Sequence, residues 1–315
     1  MEKLDYYLQD VKTVAISGHI NPDGDCIGSS LAVYNYIREN YPDIKVDVYL
    51  GEIPNLFKFL SGSDIIQSYP SKDKTHDLFI ALDCGDTGRM GNAGKYFESA
   101  KKTICIDHHI SNEGFGDEYL IVPDASSASE LVFTVLDEDR ISKEIAECLY
   151  VGILHDTGCF QYSSTSSKTM RIAGCLMDKG VDFTRIIDKT FFEKTFEQQK
   201  ILGLVLGRAQ RHLDGNVISC IIDRNDMDSC SVRPRHLEGI VAHMRSTKGV
   251  DTAIFIYQNC DDGFKVSLRS QELIDVSKIA SEFGGGGHVR AAGCNIKGDP
   301  NVALGEILEL MQRQL

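Results

Sequence analysis

Three short apolar runs constrain this chain more than anything else in it: Thr13–Ser17 (TVAIS), Leu78–Leu82 (LFIAL) and Thr103–Ile106 (TICI). Runs of this length without polar alternation read as strands buried on both faces. Between the first two, Ile27, Leu31, Tyr34 and Ile37 share one helical face over Cys26 to Glu39, and Ile44 to Leu50 alternates like a further strand. Buried strands alternating with helices predict an α/β fold, a parallel sheet with covering helices. Ligands of such sheets bind beyond the carboxyl ends of the strands.

Those ends carry unusual residues. The first run leads into His19-Ile20-Asn21-Pro22-Asp23-Gly24-Asp25, the second ends at Asp83, and the third ends at Asp107-His108-His109. A fourth pair, His155-Asp156, closes the apolar stretch Ile145 to Leu154, which reads as a buried helix. Each group alone has an ordinary structural explanation. Asp23 can cap a helix, Asp83 can be solvent-facing punctuation, and His109 can be a hydrogen-bonded core histidine. Together they would concentrate carboxylates in one place, at a cost of several kcal/mol unless cations fill it. Six candidate ligands, His19, Asp23, Asp25, Asp83, a residue of the Asp107-His108-His109 group and Asp156, are too many for one catalytic ion with an open position. They suit two ions bridged by a carboxylate, roughly 3.5–4 Å apart. Imidazole and carboxylate donors without thiolate favour Mn2+, with Mg2+, Co2+ or iron as alternatives.

The 33 basic against 46 acidic residues argue against a surface that grips long nucleic acid. A short phosphorylated substrate is not excluded. No stretch is long and apolar enough to span a membrane, and the N-terminus lacks a signal peptide's apolar core. The ten cysteines form no CxxC pair, so a zinc ribbon is not expected. They read as reduced thiols of a cytoplasmic protein. Cys26, Cys84, Cys105 and Cys159 lie near the acidic motifs and read as small packing residues.

Length suggests two domains. The expected division is a catalytic metal-binding domain at 1–190, a helical linker at 191–209 and a smaller α/β domain at 210–315. In the latter, Val217 to Ile222, Ala253 to Tyr257 and Phe264 to Leu268 read as strands. Helices are expected near Arg235 to Met244 and Asp275 to Phe283. The string Gly284-Gly285-Gly286-Gly287-His288 lacks the Lys-Ser/Thr ending of a P-loop. Consecutive glycines do let backbone N–H groups approach a phosphate closely.

These motifs resemble the DHH phosphoesterase superfamily, named for the tripeptide that stands here as Asp107-His108-His109. His19-xxx-Asp23-x-Asp25, Asp83 and His155-Asp156-Thr157-Gly158 resemble its other metal motifs. Gly284 to Gly293 (GGGGHVRAAG) resembles the signature of the DHHA1 subfamily. The resemblance implies a site in a cleft between the two domains. It implies that His19 and Asp23 hold one ion, that Asp25, His108 and Asp156 hold the other, and that Asp83 bridges them. His109 and Arg269 would act on the substrate phosphate. Arg269, Ser270, Gly285, Gly286, Gly287 and His288 would bind the nucleotide. The compact size is similar to the stand-alone oligoribonucleases (nanoRNases) that also dephosphorylate adenosine 3′,5′-bisphosphate. The implied activity is hydrolysis of short RNA or nucleotides by a water activated between two metals, with no long nucleic acid or membrane as partner. A homodimer is compatible with that reading. Alternatives are a phosphodiesterase for cyclic dinucleotides or their linear products, and a catalytically silent nucleotide sensor.

Overall fold

Each of the three apolar runs is a buried strand. In the computed structural model, which describes residues 1–67, 74–260 and 263–315, the chain divides into two units, Met1–Glu193 and Lys194–Leu315. The first contains a five-stranded sheet of β1 (Thr13–Ser17), β2 (Lys45–Tyr49), β3 (Leu78–Leu82), β4 (Lys102–Asp107) and β5 (Glu118–Ile121). All pairings are parallel and the order is β2-β1-β3-β4-β5. The chain leaves β1 toward one side of the sheet and returns at β3 on the other. That reversal opens a crevice between the carboxyl ends of β1 and β3.

The helices of this unit are α1 (Leu4–Tyr7), α2 (Gly24–Asn40), α3 (Gly94–Ser99), α4 (Ala128–Val135), α5 (Lys143–Asp156), α6 (Ser167–Asp178) and α7 (Phe183–Ile187). Side-chain oxygens of Asp23, Ser127, Ser142 and Ser166 cap α2, α4, α5 and α6. Helices α2 and α5 pack on each other, with α4 against both. A Cβ on Gly28 would stand 2.5 Å from the Cys148 carbonyl oxygen, so the close approach of α2 and α5 requires glycine there. Ile27, Leu31, Tyr36, Leu149 and Ile153 are fully buried and share one core with Val14, Ile16, Ile80 and Leu82 of the sheet.

The second unit comprises α8 (Phe196–Arg208), β6 (Gln210–His212), β7 (Val217–Ile222), α9 (Arg224–Ser229), α10 (Ile240–Arg245), β8 (Thr252–Cys260), β9 (Gly263–Ser270), α11 (Val276–Glu282), β10 (Gly286–His288), β11 (Ala291–Lys297) and α12 (Pro300–Gln312). Its sheet runs β10-β11-β9-β8-β7-β6 and is antiparallel except for β7 with β8. The segment read as a linker holds α8, whose Ile201 and Val205 are fully buried in this unit's core. The helix expected over Arg235 to Met244 is interrupted at Gly239, which takes φ +83°. Part of the glycine string pairs as β10 with β11. Among the described residues, no helix is long and apolar enough to cross a membrane.

Candidate metal centre and substrate-binding residues

His19 lies two residues beyond β1, Asp83 directly follows β3, and His108 directly follows β4. Asp156 is the last residue of α5, and Asp25 is in the first turn of α2. The fold brings all of them together. Asp83 Oδ2 is 3.5 Å from His19 Nε2, and Asp83 Oδ1 is 3.5 Å from His108 Nε2. His19 Nε2 is 3.7 Å from Asp23 Oδ2. His108 Nε2 is 3.0 Å from Asp156 Oδ2 and 3.9 Å from Asp25 Oδ2.

Backbone conformation contributes to this convergence. Asp83 takes φ +51°, a left-handed geometry that aspartate tolerates better than most residues. Gly158, Cys159 and Phe160 all have positive φ, and this turn ends α5 just beyond Asp156. Asp23 has a double position: Oδ1 accepts the backbone N–H groups of Asp25 and Cys26, both at 3.1 Å, and Oδ2 faces His19. The capping reading and the ligand reading of Asp23 are therefore compatible.

No lysine or arginine pairs with Asp23, Asp25, Asp83 or Asp156 among the described residues. Two imidazoles are left to balance four carboxylates, of which Asp25 and Asp83 are buried. Burial opposes a charge on His108, yet hydrogen bonds to Asp156 and Asp83 and the nearby Asp25 raise its pKa to about 11. His19 is likewise raised to about 9, burial being outweighed by Asp23 and Asp83. Burial, with the charges of Asp83 and Asp156, pushes the Asp25 carboxyl up. Asp83 falls below the ordinary range, because His108 and His19 outweigh its burial. Ligand atoms of Asp25, His108 and Asp156 lie within 4.8 Å of one another, and the same holds for Asp83, His108 and His109. Four carboxylates against two imidazoles, the mixed donor set and this spacing fit divalent cations.

His109 is arranged differently. Its Nδ1 is 2.7 Å from Asp107 Oδ1 and 3.7 Å from Asp83 Oδ1. Asp107 is fully buried and also accepts a hydrogen bond from Asn112 Nδ2 at 2.7 Å. The hydrogen bond between His109 itself and Asp107 outweighs partial burial and raises the His109 pKa. His155, by contrast, is held in an aromatic setting. Its ring centroid is 4.8 Å from Phe57 and 4.7 Å from Phe191, and burial lowers its pKa to about 4. A Cβ on Gly24 would collide with this ring, so His155 shapes the first motif by contact.

In the second unit, Arg269 pairs in register with Ala291, and Ala291 with His288. Opposed residues share a sheet face, so Arg269 and His288 project on one side, two strand spacings or about 10 Å apart. Arg269 is half-buried, and burial together with the Arg245 charge lowers its pKa. Neither arginine has a carboxylate partner among the described residues. The Ser270 hydroxyl is buried and donates to the Ile274 carbonyl at 2.6 Å. Cβ atoms on Gly285 and Gly287 would collide with Gly293, Cys294, Ala291 and Ala292. Strand packing therefore accounts for two of the four glycines.

The sequence reading missed several contributors: Asp107 and Asn112 behind His109, Arg245 beside Arg269, and the backbone of Ala125 to Ser129 behind Asp25 and His108. Only Asp107 stood in a motif; spacing held no sign of the others. Cys26 proves close to the cluster, its thiol grouped with His19 and Asp83. Burial and then Asp83 push its pKa well up, which keeps the thiol neutral as a packing group.

Comparison with known proteins bears on the family of the chain. Residues 13–153 match the model of the DHH family, N-terminal domain, and residues 214–315 match the DHHA1 domain. The chain is 28% identical to the bifunctional oligoribonuclease and PAP phosphatase NrnA of Thermus thermophilus, with 96% of this chain and 90% of that protein covered. Identity to the protein of the same name from Bacillus subtilis is 24%, covering 90% and 89%. The crystal structure of an exopolyphosphatase-related protein from Bacteroides fragilis superposes with a TM-score of 0.84 at 28% identity, covering 98% of this chain and 96% of that one. The two matched domains and the common fold make this chain a phosphoesterase of the DHH family, with a DHHA1 domain as its second part.

Proposed function

We propose that the protein hydrolyses short oligoribonucleotides and adenosine 3′,5′-bisphosphate in a manganese-dependent reaction. The observation that carries this reading is the Asp83 carboxylate, which turns one oxygen to His19 and the other to His108. His19 and Asp23 would hold one ion and Asp25, His108 and Asp156 the other, with Asp83 shared. Bound there, two divalent cations supply an activated water and neutralise charge on the phosphoryl oxygens.

The chain's own residues do the rest. His109, held by Asp107, presents its Nε2 to the reacting phosphate and can donate a proton to it or to the leaving oxygen. Arg269, Arg245 and His288 bind the nucleotide portion, which positions the substrate for attack. The names of the relatives support the choice of RNA fragments and PAP. The test is a substrate panel on chelator-stripped protein resupplied with Mn2+: pApA, longer RNA, pAp, cyclic-di-AMP, pyrophosphate and polyphosphate. Turnover of pApA and pAp above the others is expected. Turnover of pyrophosphate or polyphosphate alone would overturn the substrate class, and binding without turnover of any would make the protein a sensor.

A further inference from the structure

Five consecutive residues before and at the start of α4 support two of the cluster residues. The Ala125 carbonyl oxygen is 3.3 Å from His108 Nδ1, which leaves Nε2 of the ring directed at Asp156. The backbone N–H groups of Ala128 and Ser129 donate to Asp25 Oδ2 at 2.6 Å and Oδ1 at 2.9 Å. The orientation of His108 and both oxygens of Asp25 thus depend on the placement of Ala125 to Ser129.

Glu130 links this segment to α6. Its side chain is only 2% exposed. Oε2 accepts the hydroxyls of Ser126 and Thr169, each at 2.7 Å, and Oε1 is 3.2 Å from Lys168 Nζ. Ordinary helix capping does not explain this carboxylate. A glutamate at the third position of a helix usually reaches back to the N–H of the capping residue. Here the cap is Ser127, and Glu130 reaches past it to Ser126 and across to the first turn of α6. A carboxylate is buried at a cost, and three polar partners from two elements offset it. None of those hydrogen bonds reaches Asp25, His108 or Asp156.

We propose that Glu130 is a positioning residue for the metal centre, tying Ala125–Ser129 to α6 so that Asp25 and His108 face the same ion. This rests on the reading that Asp25, His108 and Asp156 ligate one divalent cation. Outer residues that orient ligands commonly carry 10–100-fold in metal affinity.

The test uses Glu130→Gln, which keeps the shape without the charge, and Thr169→Val, which removes the hydroxyl tie from α6 and leaves only the Lys168 ion pair. Chelator-stripped full-length protein is titrated with Mn2+, followed by calorimetry and by the electron paramagnetic resonance of free Mn2+. The same metal-free samples are melted. Wild type is expected to bind two ions. Both variants should lose about 10–100-fold in affinity for one ion, keep the other, and melt close to wild type. Unchanged affinity for both ions would overturn the proposal, even if melting falls, since that is what a purely structural glutamate gives. Equal weakening of both ions would overturn it too. A wild type that binds no Mn2+ defeats the underlying metal reading, and the first titration separates that failure from the others.

Discussion

His109 Nδ1 lies 2.7 Å from Asp107 Oδ1, while the adjacent His108 has no contact with that carboxylate and turns to Asp83, Asp156 and Asp25. Two neighbouring histidines therefore differ in what they serve. His108→Ala should lose bound Mn2+ together with rate. His109→Ala should retain two ions and lose about 100-fold or more in kcat, the scale of a positioned proton donor. Metal analysis of the two purified variants beside their kinetics checks this; equal metal loss would sink the division.

Asp83 faces both His19 and His108, so its neutral isostere is the sharpest probe of the proposed shared carboxylate. Asp83→Asn keeps the size and tolerates φ +51°, where alanine would add strain. Turnover should fall at least ~100-fold, beyond what outer residues usually cost. The metal-free variant should fold normally by circular dichroism. Near-wild-type Mn2+-dependent turnover would refute the bridging role.

Metal loading should release protons. Without metal, His19 holds its proton up to about pH 9 and His108 up to about pH 11. An imidazole must shed that proton to ligate a cation. Apparent Mn2+ affinity should therefore rise with pH through the neutral range, roughly tenfold per unit for each proton displaced. Calorimetry in two buffers of different ionisation enthalpy counts the protons. No buffer dependence would mean that both rings are already neutral.

Gly152 of α5 faces the same carboxylate that α4 holds. A Cβ there would stand 2.7 Å from Asp25 Oδ1 and collide with Ser129. Gly152→Ala should destabilise the fold by about 1–3 kcal/mol, as overpacking does, and should weaken metal binding through Asp25. Gly203→Ala in α8, where nothing lies within 4 Å, is the control and should stabilise by about 0.5–1 kcal/mol. Thermal melts of both decide the matter; matched effects would contradict the packing argument.

Arg269→Ala and Arg245→Ala should slow hydrolysis of pApA about 10- to 150-fold in kcat/KM, the range of a lost charge-assisted contact. A small diester such as bis-nitrophenyl phosphate never had that contact and should be affected much less. Equal losses on both substrates would remove these arginines from substrate binding.

Legibility followed the physics of each signal. The strands leading to His19, Asp83 and Asp107 were readable because full burial forces short apolar runs. The edge strand Glu118–Ile121 carries a charged residue and is only partly buried, so no such run marks it. The short strand Gly286–His288 is glycine-rich and exposed, and its composition reads as a loop. The candidate ligands were visible because carboxylates and imidazoles at strand ends are costly to place. Their supports, the Ala125 carbonyl and the N–H groups of Ala128 and Ser129, are backbone atoms of small residues, and side-chain identity carries no trace of them.

Helix α5 runs 14 residues from Lys143 and ends on Asp156, with most of its length buried. It therefore acts as a ruler. One inserted residue would turn Asp156 by roughly 100° and displace it by about 1.5 Å along the axis, whatever amino acid was added. Its buried apolar positions, Gly152 excepted, can exchange for other apolar residues, while its residue count cannot change. Length changes must collect elsewhere, in exposed turns such as the one at Gly180. An alanine inserted within α5 should abolish Mn2+-dependent turnover, whereas one inserted after Gly180 should be borne, and a functional enzyme with a longer α5 would break the rule.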